Sequence, residues 1–357
     1  MKAGSMGASQ DGRTVGRGGG AVTLSDVAAH AKVSLSTASR ALNGSVRNVS
    51  PELRAKVEAS AAALGYATNL LAQGIARGLS ETVAVVVGSI ADPYFAGIVA
   101  GVTEVAEASG MVVTIITTGG DREREASALL ALKGQRPRHL IMTVSRSLDP
   151  QVEEHVADEL RAYERMGGTV VFVGSGLPGF RGLVVAGDAA AGCLARALIG
   201  RGYRRFAVLT GPAHLEVPVH RARGFIEVVE EAGGEVPERF RVASPINRHS
   251  GREAMRAVLS AGDPPECVFA IADVLAVGAV SAIREAGLEP GRDIGVAGFD
   301  DVELLEDMNP SLTTVHLPLV ELGARAVRLA AEQAPRVEHI EAEVMLRAST
   351  PGPTSRV

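Results

Sequence analysis

The sequence predicts two unlike parts: an all-α N-terminal head with a short hinge helix, then a two-lobed α/β core built on parallel sheets. Three observations carry this. Residues 22–66 show helical spacing with strong start and stop residues, short β-branched runs alternate with helical stretches from Glu81 onward, and charge divides unevenly between the parts. Residues 1–80 hold 9 Lys and Arg against 4 Asp and Glu, a net of +5, while the rest of the chain carries a net of −10. A basic head on an acidic body suits a protein that presents one end to phosphate.

The head is organised around residues 34–44, Ser-Leu-Ser-Thr-Ala-Ser-Arg-Ala-Leu-Asn-Gly. Ser34 is a good N-cap and Asn43-Gly44 a good stop, so a helix of about nine residues is expected. Ala38 and Leu42 give it a thin apolar side, and Ser36 and Arg40 share another face one turn apart. Small hydroxyls, an outward N-terminus and one arginine are the parts needed to enter a DNA major groove. The preceding helix has Thr23 as cap, Asp26 at N3, and Leu24, Val27, Ala28 and Ala31 on its buried side. Lys32-Val33 turns between the two, which makes a helix-turn-helix whose second helix reads bases. A third helix starts with Ser50 as cap and Pro51 at N1, and carries Leu53, Val57 and Leu64 as its stripe.

This order of residues, from Val22-Thr23-Leu24-Ser25-Asp26 through Arg40-Ala41-Leu42-Asn43-Gly44 to Leu64-Gly65-Tyr66, resembles the head of the lac-repressor (LacI/GalR) family. The resemblance implies DNA contacts from Thr23, Ser25, Ser34, Leu35, Ser36, Thr37, Ser39, Arg40 and Asn43. It also implies that residues 68–78 form a hinge helix, with Asn69, Gln73 and Ile75 at the minor groove and Ile75 as the wedge that kinks it. Departures are Lys32 in a turn where the family has Gly, an extra Asn48, Thr68 for the usual Pro, and Gly74 inside the hinge. A left-handed turn costs Lys more than Gly.

Cys193 and Cys267 are too few and too far apart for a disulfide framework, and both sit in apolar runs that predict buried thiols. No apolar run reaches membrane-spanning length. Residues 1–20 lack the apolar core of a signal peptide and are rich in Gly and Ser, so a disordered tail and a cytoplasmic protein are expected. The eight histidines follow no metal-ligand pattern, and no nucleophile elbow or P-loop is present. The expectation is a non-enzyme without metal or cofactor, and without membrane contact.

In the core, strands are expected at 82–88, 112–117, 139–144, 169–173, 205–210, 267–271, 294–297, 312–316 and 341–347. Helices are expected at 94–109, 121–133, 151–166, 189–201, 221–232, 251–260, 273–286 and 319–332. Strand–helix units at this spacing give parallel sheets covered on both faces, and their number requires two lobes. Ligands of such sheets bind beyond the strands' carboxyl ends, in the cleft between lobes. Strand ends carry Asp92, Tyr94 and Phe95, then Ser145-Arg146, Gly174-Ser175, His220-Arg221, Asp273, and Phe299-Asp300-Asp301. Carboxylates, arginine and flat rings suit a hydroxyl-rich small molecule.

The body likewise resembles the family's effector core, which is similar to periplasmic sugar-binding proteins. Matching pieces are Asp92-Pro93-Tyr94-Phe95, Gly211-Pro212, Arg221-x-x-Gly224-Phe225, Asp273-x-x-Ala276-x-Gly278, Gly298-Phe299-Asp300-Asp301 and Leu346-Arg347-Ala348-Ser349-Thr350. The resemblance implies effector contacts at Asp92, Tyr94, Phe95, Ser145, Arg221, Asp273, Phe299 and Asp300. Ala189 and Ala272 stand where Asn is usual, and Leu317 where a polar group is usual, so the effector itself is not implied. The domain reading is a tail (1–20), head (21–66), hinge (67–80), core (81–350) and second tail (351–357). Within the core, lobe one takes about 81–185 and 315–338, and lobe two about 186–314 and 339–350. The function expected is a sequence-specific transcription regulator, a repressor, acting as a homodimer on near-palindromic double-stranded DNA under control of a sugar-like effector. The alternative is a solute-binding protein without a DNA role.

Overall fold

The computed structural model describes residues 22–42, 49–66, 79–333 and 336–353. The chain divides into two compact units, Met1–Ala72 and Gln73–Val357.

In the first unit, α1 (Leu24–Ala31) opens with a capping box in which Thr23 and Asp26 satisfy each other's backbone N–H groups. Lys32 ends it in the left-handed conformation, at φ 54° and ψ 47°, where the family has Gly. α2 (Leu35–Leu42) follows, with the Ser34 hydroxyl accepting from the Thr37 N–H at 3.1 Å. α3 (Pro51–Leu64) is capped by Ser50 and closed by left-handed Gly65. The helices meet on Val27, Ala28, Ala31, Ala38, Ala41, Val57 and Ala61. Mostly alanine, this core lets three short helices approach closely. Ala41, rather than Leu42, is the second fully buried residue of α2.

In the second unit, the first lobe has a six-stranded parallel sheet. Its strands are β1 (Ser80–Val87), β2 (Val112–Thr117), β3 (Pro137–Met142), β4 (Thr169–Gly174), β5 (Arg181–Val185) and β11 (Val337–Ile340), in the order β11-β5-β4-β3-β1-β2. Val83, Val85 and Val87 pack on one face with Ile98 and Val102, while Ala84 and Val86 pack on the other with Leu129, Leu132 and Leu160. Burial on both faces is why β1 reads as an unbroken apolar run. The helices are α4 (Pro93–Ala108), α5 (Arg122–Gln135), α6 (Pro150–Arg165) and, from far along the chain, α11 (Leu319–Ala331). The second lobe has the parallel sheet β7-β6-β8-β9, made of β6 (Phe206–Thr210), β7 (Arg241–Ala243), β8 (Cys267–Ala270) and β9 (Gly295–Ala297). Its helices are α7 (Gly187–Gly200), α8 (Glu216–Glu231), α9 (Arg248–Ser260) and α10 (Asp273–Glu285). An antiparallel pair, β10 (Thr314–His316) and β12 (Glu343–Met345), lies on the segments that pass between the lobes.

Several expectations are corrected. The strand expected at 341–347 is the shorter β12, which pairs with β10, and an unexpected strand, β11, joins the first sheet as far as Ile340, beyond the expected lobe limit at 338. β5 was missed because its apolar part is only Leu183-Val184-Val185 behind a Gly/Pro-rich loop, and β7 is a three-residue edge strand. α8 begins at Glu216, five residues before Arg221; Pro218, which reads as a barrier, is tolerated in its first turn. Cys193 is exposed on the outer side of α7, whereas Cys267 is buried in β8, where desolvation pushes its thiol up. Among the described residues no helix is long and apolar enough to cross a membrane.

α4 and α11 cross with their backbones nearly touching. A Cβ on Gly101 would stand 1.8 Å from the Val320 carbonyl oxygen, and one on Gly323 would stand 1.9 Å from that of Ile98. Gly323→Ala should therefore force the helices apart and cost about 1–3 kcal/mol. Gly134→Ala in α5, where an added Cβ meets nothing within 4 Å, should instead gain up to about 1 kcal/mol. Urea unfolding of the two variants against wild type gives both signs.

Candidate functional site

The recognition surface is built on α2. Ser34, Leu35, Ser36 and Arg40 are exposed, Thr37 and Ser39 half-buried, and Thr23 and Ser25 exposed at the start of α1. The Ser34 hydroxyl links to Ser36 at 2.9 Å and to Thr37 at 2.7 Å. These hydroxyls thus hold one another at the helix N-terminus, the end that phosphate prefers. Asn43, Asn69, Gln73 and Ile75, with the hinge helix expected at 68–78, lie outside the described residues.

The second site is a cavity of about 470 Å³ between the lobes of the core, at the carboxyl ends of both sheets. Lobe one contributes Asp92, which caps α4 by accepting from the Tyr94 N–H at 3.1 Å. Burial raises the Asp92 carboxyl above its ordinary range, with Arg221 opposing. Tyr94 and Phe95 meet edge to face at 5.0 Å, and burial pushes the Tyr94 hydroxyl up. The floor in lobe two is Arg221. Its Nη1 donates to the Ile271 carbonyl at 2.8 Å and lies 2.9 Å from Asp300 Oδ1, and its guanidinium covers the Phe299 ring at 3.7 Å. Asp300 is aimed by unusual backbone: it has φ 119° and Asp301 has φ 55°. Asp301 is held by Arg347 at 2.6 Å and by His316 Nδ1 at 2.8 Å. Asp300 is pushed well above the carboxylate range by burial, and Arg221 opposes that push.

One wall crosses from lobe to lobe. Ser147 bridges Leu215, the Glu216 N–H donates to the Arg146 carbonyl at 2.9 Å, and the Leu148 N–H donates to the His214 carbonyl at 2.9 Å. Arg146 grips the Glu216 carboxylate with two bonds of 2.8 and 2.9 Å, and the Ser145 hydroxyl accepts from the Val217 N–H at 3.1 Å.

Six of the eight expected effector residues line this cavity: Asp92, Tyr94, Phe95, Ser145, Arg221 and Asp300. The other two do not. Phe299 is fully buried beneath Arg221. Asp273 is 1% exposed, and its carboxylate accepts from the Thr314 hydroxyl at 2.7 Å and the Val302 N–H at 2.9 Å. It fastens β10 and the 300 loop to α10 instead of facing a ligand. Glu125 of α5 also lines the cavity and was missed, since Arg-Glu-Arg-Glu at 122–125 reads as a solvated face. Ser175 lines it too, with a buried hydroxyl that has no hydrogen-bond partner among the described residues; its place at a strand end was the available signal.

Burial pushes the Asp273 carboxyl up to about 6, against about 3.9 in an unfolded chain. A raised carboxyl contributes stability that is fully present below its unfolded value and lost as pH rises through its folded value. Asp273→Asn should therefore flatten the fall in urea stability from about pH 4 to about pH 6. Asp273→Ala strands two buried donors and should cost about 1–3 kcal/mol for each.

The chain matches two family patterns: bacterial regulatory proteins of the lacI family over residues 23–69, and the periplasmic binding protein-like domain over residues 195–350. It is 32% identical over 306 residues to the ribose operon repressor of Escherichia coli K12, covering 85% of this chain and 91% of that protein. It is 28% identical over 349 residues to the transcriptional repressor CytR of the same strain, covering 92% and 96%. Among solved structures it is similar to the lac repressor dimer bound to operator and the anti-inducer ONPF, with TM-score 0.77, 27% identity and coverage of 93% and 99%. The regulator CelR in complex with cellobiose aligns with TM-score 0.64, 28% identity and coverage of 92% and 99%. The chain belongs to the lacI family of DNA-binding bacterial regulatory proteins.

Proposed function

We propose that this protein is a cytoplasmic repressor that reads a near-palindromic operator as a homodimer, with α2 in the major groove, and answers to a polyhydroxylated effector held in the cleft. One observation supports the effector reading most. Two cavity-lining residues, Ser175 and Arg221, each carry a buried polar atom, the hydroxyl oxygen and Nε, without a hydrogen-bond partner among the described residues. Such atoms are costly unless something supplies the missing bonds. Donor and acceptor together suit neighbouring hydroxyls. One relative is named for an operon of ribose, and one structural neighbour is a complex with cellobiose; both sugars are of this class. Two-fold symmetric proteins take two matching half-sites. The rival reading, a solute-binding protein without a DNA role, has no use for an exposed Ser34, Ser36 and Arg40 on a capped helix.

Selection of bound sequences from random DNA, with and without a panel of sugars and polyols, tests both halves together. Arg40→Ala should lose about 1–3 kcal/mol of specific affinity and relax the preference at one position in each half-site. Unchanged base preference would remove Arg40 from the reading set. For the cleft, Arg221→Ala is a poor probe, because it leaves Asp300 as an unpaired buried charge. Ser175→Ala is cleaner. It should leave thermal stability unchanged or higher while weakening the effector by about 0.5–1.5 kcal/mol, as read by calorimetry. Equal effector affinity would take Ser175 out of the site.

A further inference from the structure

We infer that the cleft accepts an uncharged polyhydroxylated ligand and rejects phosphate esters and carboxylic acids of the same carbon skeleton, because the protein's own carboxylates already occupy its anion-binding positions. The inference rests on the cleft being the effector site, and it adds the ligand's charge.

In a doubly wound sheet an anion binds where helix N-termini face the cleft, since their free N–H groups and dipoles favour negative charge. Three helices, α4, α7 and α8, present their first residues to this cavity, and at each the chain's own groups engage backbone donors. Asp92 accepts from the Tyr94 N–H at the start of α4. Asp188, in the first turn of α7, accepts from the Ala189 N–H at 2.8 Å. At α8 the Glu216 N–H goes to the Arg146 carbonyl, the Val217 N–H goes to Ser145, and Pro218 has none to give. Asp273, at the start of α10, does not line the cavity, and its N–H donates to the Phe299 carbonyl at 2.8 Å. Two of the three cavity-facing N-termini thus already hold a carboxylate, and at the third the first-turn side chain is Glu216.

The side chains repeat the pattern. The cavity is lined by Asp92, Glu125, Asp188, Glu216 and Asp300, against Arg221 and His220 as its basic residues. Arg221 is matched by Asp300 at 2.9 Å. The nearby arginines are engaged as well, Arg146 by Glu216 and Arg223 by Asp188 at 3.2 Å. A phosphate entering here meets like charge in a partly desolvated space, where repulsion is far stronger than in water. Hydroxyl groups face no such barrier, because carboxylates accept from them and Ser175 can exchange a bond with them.

Calorimetry on the full-length protein tests this with pentoses, hexoses, their disaccharides and polyols, each monosaccharide alongside its terminal phosphate ester and its aldonic acid. The neutral form should bind at least about 100-fold more tightly than its anionic counterparts. In Asp92→Asn and in Asp188→Asn that ratio should narrow by about tenfold, because Asn keeps the capping oxygen and removes the charge. The ratio is the readout, so a general loss of affinity in a variant does not imitate the effect. An anionic form binding wild type as tightly as its neutral parent overturns the inference and leaves the cleft as the effector site. A ratio unmoved in both variants overturns the assignment of Asp92 and Asp188. If no member of the panel binds, the effector reading falls and this inference with it.

Discussion

The buried pairing of Arg221 with Asp300 is the interaction around which the core is arranged. Taking both charges out of water is expensive, and their attraction offsets that cost only where other bonds help. The Ile271 carbonyl and the Phe299 face supply the help for Arg221. For Asp300 the help is architectural: two successive residues at positive φ turn its carboxylate inward, a conformation that persists only where the surroundings enforce it. Asp301, clamped by Arg347 and His316, provides that enforcement, and Asp273 secures the far side of the same loop through the Val302 N–H. The floor of the cleft and the segments joining the lobes are therefore one bonded assembly.

What was legible in the sequence follows from how locally each feature is determined. The capping box of α1, the Ser34 cap and the Val83–Val87 run depend on neighbours a few residues away, and they fold as read. β5 and β11 did not stand out because each is made a strand by a partner far along the chain, Val184 pairing with His339. The start of α8 was misplaced because a proline looks the same as a breaker and as a first-turn residue. Six of the eight expected effector residues, each near a strand or helix end, line the cavity. Asp273 stands at the helix start the sequence indicates, but Thr314, from 41 residues along the chain, takes its carboxylate. Glu125 carries no sequence signal, since only the packing of α5 puts it against the cleft.

Close backbone contact between helices recurs in the core. Besides the crossing of α4 with α11, Gly251 and Gly278 let α9 and α10 touch through main chain, with an added Cβ in each case within 2.3 Å of a carbonyl oxygen. Packed this tightly, a helix pair moves as one piece. Such close packing gives each lobe a stiff helical layer on the face of its sheet.

The wall in which residues 145–148 run against 214–217 bears on time. It is made of main-chain bonds and a two-pronged ion pair, and it spans the gap that any molecule must pass on that side. Whatever occupies the cavity is released through that side only at the rate at which this seam parts. Contacts inside the cavity govern how much effector is needed. A molecule leaving on that side must break its own contacts and also wait for the seam to part.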